Sequence, residues 1–422
     1  MSLATRRVAV IGGGLAGLST TYHLLELCSN TEVTVWDPHP VGTGGASSVA
    51  GGYVNFLVPN SFPVSRIMIH ICYSSSSLAH DDDIITKISE TRKFRCTRWI
   101  PGSSHSSLTL VHRLLHPLSP RGKLVHRGLE GLAATNRLVD RCRDVDPNVV
   151  LRDELWRLAV SDKNAEILSA SPIGEWQDRV PFDGLGTEVR GGLRLSDGCK
   201  VLHVPTYLQA LWNICQQSGR ARWKTEDLSE LSQEERRNTL SEYSDVVLAA
   251  GDGLFRSGLL DANRFPIQLV RGQSIHFRIN SSDNLPAVVS GKYISPLPDP
   301  SLVLVGATHE FREAPLSNDE VVAELESRAG NMIPDLFQNP IDCLTSGTRV
   351  QSERGKSGRL PIAGKLPSES HSNLHPSTWI FTGLSSRGLL YHALYGEALA
   401  RTMIDGEASR TEVEGWCLAR LQ

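Results

Sequence analysis

Nowhere in the 422 residues does an apolar run reach the roughly 18 residues that a membrane-spanning helix needs, so no helical span is expected. An excess of one charge is also lacking: 43 Lys+Arg stand against 46 Asp+Glu, a formal net charge of −3. That leaves no basic field for nucleic acid or an anionic membrane surface, and neither is expected as a partner. Cysteine is sparse, eight residues scattered from Cys28 to Cys417 without a C-x-x-C pair, which excludes a disulfide-stapled secreted scaffold. The thiols are expected to be reduced and mostly structural. Repeats, collagen-like periods and disorder-type composition are missing as well; 36 Gly and 22 Pro are ordinary for an α/β chain with glycine loops. What is present is a globular composition, 40% hydrophobic, long enough for two or three domains at about 150 residues each. Small molecules are the expected partners, and composition does not set the oligomeric state. Met1 to Arg7 is too short for a leader before the first strand-like residues, so a cytoplasmic location is expected, or an organellar one if the native amino terminus is longer.

Val8-Ala9-Val10-Ile11 is a short apolar run that ends in Gly12-Gly13-Gly14-Leu15-Ala16-Gly17, and Leu15, Leu18, Tyr22 and Leu25 follow at helical spacing. This predicts strand, tight turn, helix. Gly12 permits the turn, Gly14 lets the backbone approach a pyrophosphate, and Gly17 lets helix pack on strand, while the helix amino terminus offers N–H groups to the anion. Leu15 and Ala16 sit in that first turn. Glu32 to Trp36 predicts a second strand ending in Asp37, twenty positions after Gly17, where a carboxylate accepts from ribose hydroxyls and repels a 2′-phosphate. The site predicts a dinucleotide without a 2′-phosphate, FAD or NAD.

Further signals follow. Gly42 to Ser48 is rich in small residues; Asp245 to Gly251 predicts a buried strand ending in Ala249-Ala250-Gly251; Thr378 to Thr382 predicts another, followed by Gly383-Leu384-Ser385-Ser386-Arg387-Gly388 and a helical pattern through Ala400. Two strand–glycine loop–helix crossings, one near each end of the chain, suggest one cofactor spanned from both sides. An isoalloxazine at the second helix amino terminus would have its reduced, negative form stabilised by the dipole.

These segments, with Leu114-Leu115-His116-Pro117, Arg271-Gly272-Gln273, Val305-Gly306-Ala307-Thr308 and Leu360-Pro361-Ile362-Ala363-Gly364, resemble the FAD-dependent oxidoreductases of the D-amino-acid oxidase superfamily, including glycine oxidase and the flavin domain of the bifunctional tRNA-modifying enzyme. The resemblance implies an α/β fold: a Rossmann-type FAD-binding domain from residues 1–52, 114–150, 196–265 and 345–422, and a discontinuous, mainly antiparallel β-sheet substrate domain from 151–195 and 266–344. It implies FAD, contacted by Gly12, Gly14, Leu15, Ala16, Gly17, Asp37, Gly45, Ala46, Ser47, Ser48, Gly251 and Gly383 through Gly388, and noncovalent binding is expected because serines follow Gly45 and no cysteine stands near the terminal loop. It also implies oxidation of a C–N bond of a small amine or amino acid by hydride transfer to flavin. An NAD-dependent dehydrogenase is the alternative, disfavoured by the second glycine loop.

In the family, the run ending at Gly52 passes almost directly into the Leu-Leu-His-Pro segment. Here Tyr53 to Arg113 intervenes, with Ser74 to Ser77, Asp81 to Asp83 and no sustained period of two or 3.6. Connections inside compact domains usually have about 4 to 6 residues. The segment is therefore expected to be an atypical insertion, a retained intron or a gene-model error, with a real lid or disordered loop as the competing reading. Back-translation supports the intron: Gly52-Tyr53-Val54 admits a donor-like GTAYGT and His112-Arg113 an acceptor-like AG, in frame. If the segment is translated and blocks the site, the chain would be an inactive flavin-binding isoform. His80 with Asp81 to Asp83 is expected to be a solvated acidic loop, and no metal site is expected.

Flavin amine oxidation rests on positioning and electrostatics and needs no dedicated base. A guanidinium gives a permanently charged, bidentate clamp for a substrate carboxylate. By motif the resemblance points to Arg349, twelve residues before Pro361, and then to Arg387 in the terminal loop. His116 falls in the segment the resemblance places near the flavin, and Tyr293, Tyr391 and His392 lie in segments able to line the pocket. Ser357-Gly358-Arg359 before Leu360 departs from the polar pair usual in the family.

Overall fold

The computed structural model describes residues 5–45, 113–282, 285–312, 314–355, 357–367 and 374–406. Ala46, Ser47 and Ser48, and the insertion up to residue 112 with His80 and its aspartates, lie outside these residues.

Among the described residues, strands β1 (Arg6–Ile11), β2 (Thr31–Trp36), β3 (Leu114–Leu115), β4 (Val150–Arg152), β5 (Leu155–Leu158), β6 (Glu175–Gln177), β7 (Gly192–Leu195), β8 (Lys200–Leu202), β9 (Ala221–Lys224), β10 (Asp245–Leu248), β11 (Ile267–Arg278), β12 (Val288–Ser290), β13 (Lys292–Pro296), β14 (Leu302–Gly306), β15 (Ile341–Ser352), β16 (Ile362–Lys365) and β17 (Thr378–Thr382) form three sheets. The helices are α1 (Leu15–Leu27), α2 (Gly128–Val145), α3 (Asp162–Ser169), α4 (Val204–Gln217), α5 (Gln233–Leu240), α6 (Gly253–Arg256), α7 (Asn318–Ala329) and α8 (Gly388–Asp405). None of them is long and apolar enough to cross a membrane.

The first sheet has the order β16-β17-β10-β1-β2-β9, parallel throughout except for the edge strand β16. Parallel strands are covered on both faces and so read as continuous apolar runs, as Val8 to Ile11 and Val246 to Leu248 do. Alternation splits β1 between two cores: Val8 and Val10 pack with α1, α4 and α8, whereas Ala9 and Ile11 pack with Leu240, Phe255 and Phe265 on the other side. Small residues let α1 and α8 cross closely. Ser19 Oγ donates to the His392 carbonyl at 2.9 Å, and a Cβ on Gly396 would lie 2.5 Å from Ser19 Oγ. At the amino ends of the strands, buried Asp245 ties three of them together. It accepts from Arg6 Nε and Nη2 at 2.9 and 2.7 Å, from Ser377 Oγ at 2.6 Å and from Trp379 Nε1 at 3.0 Å.

The second sheet has the order β15-β11-β14-β13-β12-β5-β7-β6 and is antiparallel apart from the β12–β5 contact, in line with the mainly antiparallel sheet expected. Helix α7, opened by a capping box between Ser317 and Glu320, covers one face with Val321 and Leu325 against Ile275, Phe277, Val303 and Val305. Strand β15 stays in this sheet as far as Ser352 and so runs through the domain boundary expected at residue 345. A small sheet, β3-β8-β4, joins the Leu114-Leu115 segment to the rest, with the Leu202 N–H donating to the Arg113 carbonyl at 3.0 Å.

Candidate functional site

The first glycine loop is held from behind by backbone. Gly12 has φ +108°, and a Cβ there would lie 2.5 Å from the Ala250 backbone, so the segment leading to Gly251 closes against the turn. A Cβ on Gly17 would lie 1.9 Å from the Gly12 carbonyl oxygen, which is why helix and strand can meet only across hydrogen atoms. Leu15 and Ala16 are buried beneath the first turn of α1. That helix opens at Gly14 with no side-chain cap and no acidic residue in its first turn. Its leading N–H groups therefore face outward with their partial positive charge uncompensated. Asp37, at the end of β2, accepts from the Gly13 N–H at 2.8 Å and the His39 N–H at 2.9 Å. Burial raises its pKa against the pull of those two bonds.

The second crossing repeats the arrangement. β17 leads through Gly383 at φ +70° and Ser385 at φ +54° to Arg387, where α8 starts with neither a side-chain cap nor an acidic residue in its first turn. Ser385 holds an uncommon backbone conformation because the sheet grips it. Its N–H donates to the Val350 carbonyl at 3.1 Å, and its Oγ accepts from the Ser352 N–H at 3.3 Å. Leu384 bridges Gln351, Ser386 is half-buried, and Gly388 is buried at the start of the helix. Since β1, β10 and β17 run parallel, α1 and α8 begin at the same edge of the sheet. Gly45, at the end of the first described stretch, is exposed with φ +60°.

Register in the second sheet brings two candidate residues together. Ser274 faces Gly306 on one side and Thr345 on the other; Gly306 faces Tyr293, and four residues along, Val270 faces Arg349. With a side-chain period of two, Tyr293, Ser274, Val270 and Arg349 share the face opposite α7, with Gly272 and Gly347 between them. Tyr293 is fully buried, its OH is 3.2 Å from Ser274 Oγ, and burial raises its pKa. Arg349 is 9% exposed; Nη2 donates to His309 Nδ1 at 2.5 Å and Nε is buried without a partner. Burial brings its pKa down to about 10. Partial burial, then Arg349, Lys292 and Arg359, push His309 down to about 4, which keeps Nδ1 an acceptor. Arg387 is half-buried, and burial lowers its pKa, with Arg359 and Arg354 adding to the shift.

Other candidates are held elsewhere. His116 is half-buried, and its Nδ1 accepts from the Leu118 N–H of its own turn at 3.2 Å. Tyr391 OH donates to the His126 carbonyl at 2.7 Å. His392 is fully buried, bonded to Tyr207 OH at 2.7 Å and to the Gly388 and Leu389 carbonyls at 3.0 Å.

Two uncapped helix amino termini at one sheet edge, a glycine turn that admits no Cβ, and a carboxylate at the end of β2 suit a dinucleotide with a pyrophosphate at one end and a ring that gains negative charge at the other. Residues 7–402 match the family described as FAD dependent oxidoreductase, DAO. The chain belongs to that family. It is an oxidoreductase with FAD as its cofactor, and the NAD-dependent alternative is set aside. The tRNA 5-methylaminomethyl-2-thiouridine biosynthesis bifunctional protein MnmC of Thiobacillus denitrificans is 28% identical over 429 residues, which cover 98% of this chain and 59% of that protein. The chain thus spans about three fifths of that relative's length. Glycine oxidase of Pseudomonas putida is 26% identical over 408 residues, 92% of this chain and 91% of the enzyme. The crystal structure of glycine oxidase from Geobacillus kaustophilus superposes with a TM-score of 0.58 at 19% identity, covering 95% of each chain, and so shares the fold.

In this oxidoreductase three neighbours of the candidate residues escaped the sequence reading. Trp223 of β9 lies against the glycine loop, its ring 2.0 Å from where a Gly13 Cβ would be, with Nε1 buried and unpartnered. His309 lies three residues beyond Gly306, and Ser274 reaches Tyr293 only through sheet register. No local spacing signals any of them, because each contact joins distant parts of the chain.

Proposed function

We propose that this FAD-dependent oxidoreductase oxidises a C–N bond of a small amine or amino acid whose carboxylate is held by Arg349. The observation that carries the reading is a nine-tenths buried guanidinium that keeps an unpartnered Nε and forms no ion pair among the described residues. A buried cation without a counter-charge is costly, and an anionic substrate relieves that cost. Arg349 would grip both carboxylate oxygens, with His309 fixing its second terminal nitrogen. Tyr293, steadied by Ser274, would border the α-carbon, and Arg387 with the amino terminus of α8 would face the ring edge where negative charge collects. Bound FAD would supply the hydride acceptor for oxidation of the α-carbon, the substrate imine being hydrolysed by water to a carbonyl compound and an amine, with oxygen or another acceptor taking up the electrons. FAD would be held noncovalently by the two glycine loops and Asp37, in a domain built on the parallel sheet, with the second sheet as the substrate domain. The near-neutral charge favours small molecules over nucleic acid as partners.

The test is anaerobic mixing of the flavin-loaded chain with glycine, sarcosine, D-alanine, L-proline and iminodiacetate, following loss of the oxidised-flavin band. Reduction by at least one of them is expected, and Arg349→Ala raises KM for it about 100-fold, the loss of two charge-assisted hydrogen bonds. Absence of reduction by any amine refutes the proposal.

A further inference from the structure

The surroundings of Arg349 carry more positive charge than one carboxylate and one flavin require. Arg359 stands in the stretch where the sequence departs from its family, and its Nη1 donates to the Ser352 carbonyl at 2.6 Å. Ser352 lies three residues beyond Arg349 on β15, and its N–H is bonded to Ser385, two residues before Arg387. Arg359 is thus pinned at the junction between the strand that carries the first candidate arginine and the loop that carries the second. It is half-buried, and its remaining guanidinium nitrogens take no partner among the described residues. Its charge is felt at Arg349, at Arg387 and at His309 alike.

No carboxylate of the described residues neutralises any of the three arginines: none of them forms an ion pair. Glu324, whose charge opposes the lowering of the His309 pKa, is taken by Lys292 at 2.9 Å. In the proposed reading Arg349 meets the substrate carboxylate and Arg387 meets the negative edge of the reduced ring. Arg359 is left over, held by one nitrogen, with donors to spare.

We propose that Arg359 is a specificity-determining residue that binds a second carboxylate of the substrate, so that the substrate class is an amino acid with two acidic groups, such as an N-carboxyalkyl glycine. This rests on the reading of Arg349 as the first carboxylate clamp. A planar guanidinium fixed at one nitrogen presents its other edge in a set direction, which suits bidentate recognition of a second acid across the amine. The chemistry at the amine is unchanged: the hydride leaves the carbon between nitrogen and the first carboxylate, and hydrolysis of the imine separates the two acid-bearing fragments.

The test uses two ethers in which oxygen replaces the reacting nitrogen and which cannot be oxidised by this route: diglycolate with two carboxylates and methoxyacetate with one. Binding to the flavin-loaded full chain is read from the shift of the oxidised-flavin band and from thermal stabilisation. Diglycolate is expected to bind at least about 10-fold more tightly, the size of one charge-assisted hydrogen bond. Arg359→Gln is expected to bring the ratio near one and Arg359→Lys to restore part of it; with reactive amines, the KM ratio of sarcosine to iminodiacetate collapses in the same way while the kcat ratio moves little. Equal binding of the two ethers by the wild-type chain overturns the second-acid assignment and leaves the Arg349 reading standing, as does a preference that survives Arg359→Gln. Failure of both ethers to bind, with no amine reducing the flavin, overturns both.

Discussion

Gly17→Ala sets two physical effects of opposite sign against each other. Alanine inside a helix is favoured over glycine by about 1 kcal/mol, so helix propensity alone predicts a more stable protein. The added Cβ, however, would lie 1.9 Å from the Gly12 carbonyl oxygen, whereas real Cβ contacts essentially never fall below 3.0 Å, so about 1.1 Å of movement is needed. Gly12 cannot retreat: its N–H is bonded to the Trp36 carbonyl at 2.8 Å, and the Ala250 backbone closes the space behind it. Helix α1 cannot lift away without breaking the Ser19–His392 bond to α8. Overpacking costs about 1–3 kcal/mol, and a clash between backbone-anchored atoms belongs at the upper end, giving a net loss of about 2 kcal/mol. The loop is also the proposed pyrophosphate seat, and losing one N–H contact to an anion, at about 1.5 kcal/mol, weakens FAD binding roughly tenfold. Titration of apoprotein by flavin fluorescence measures the second effect. Thermal unfolding of the apoprotein measures the first without mixing in the affinity change. A variant that unfolds at a higher temperature and binds FAD as tightly as the wild type would falsify the close packing on which the loop geometry depends.

Asp245→Ala removes the acceptor that joins Arg6, Ser377 and Trp379, leaving a charge and an indole N–H without it; a loss of about 3–5 kcal/mol is expected in chemical unfolding. Burial holds His392 neutral with its pKa pushed down to about 4 from its ordinary 6.5. Its folded value lies below its unfolded one, so its contribution is complete above about pH 6.5 and is lost as pH falls toward 4, by about 3 kcal/mol. His392→Gln should flatten that part of the stability–pH curve, and an unchanged curve counts against the assignment. Arg349→Lys keeps the charge but not the fork, so KM should rise less than in Arg349→Ala; equal KM values in both variants contradict the bidentate clamp. Replacing residues 53–113 by one glycine should leave a chain that binds FAD and reacts with the amine screen, checked by flavin content and anaerobic reduction. Loss of flavin on removal identifies the segment as part of the working protein.

The parallel-sheet half of the fold was legible in the sequence because its signals are local. Val8 to Gly17 and Thr378 to Gly388 each carry a strand, a turn and the start of a helix within a dozen residues, Glu32 to Asp37 carries a strand and the acid at its end, and the glycines stand where backbone must touch backbone. The family and its cofactor followed from the same segments. Arg349 was singled out by motif resemblance and Tyr293 only because its segment could line a pocket, since nothing in their own neighbourhoods marks them.

Only tertiary structure set Arg349 and Tyr293 on one face, because that depends on the registers β15–β11, β11–β14 and β14–β13, and a slip of one residue would turn either side chain away. It also separated the histidines, sealing His392 between Tyr207 and the first turn of α8 while leaving His309 beside Arg349. Arg359 read as a mere departure from pattern until Ser352 and Ser385 tied its loop to both candidate arginines. Composition and spacing determine which elements form and what the glycine loops can bind; which charges end up together, with no acid among the described residues to balance them, is decided by how distant strands align.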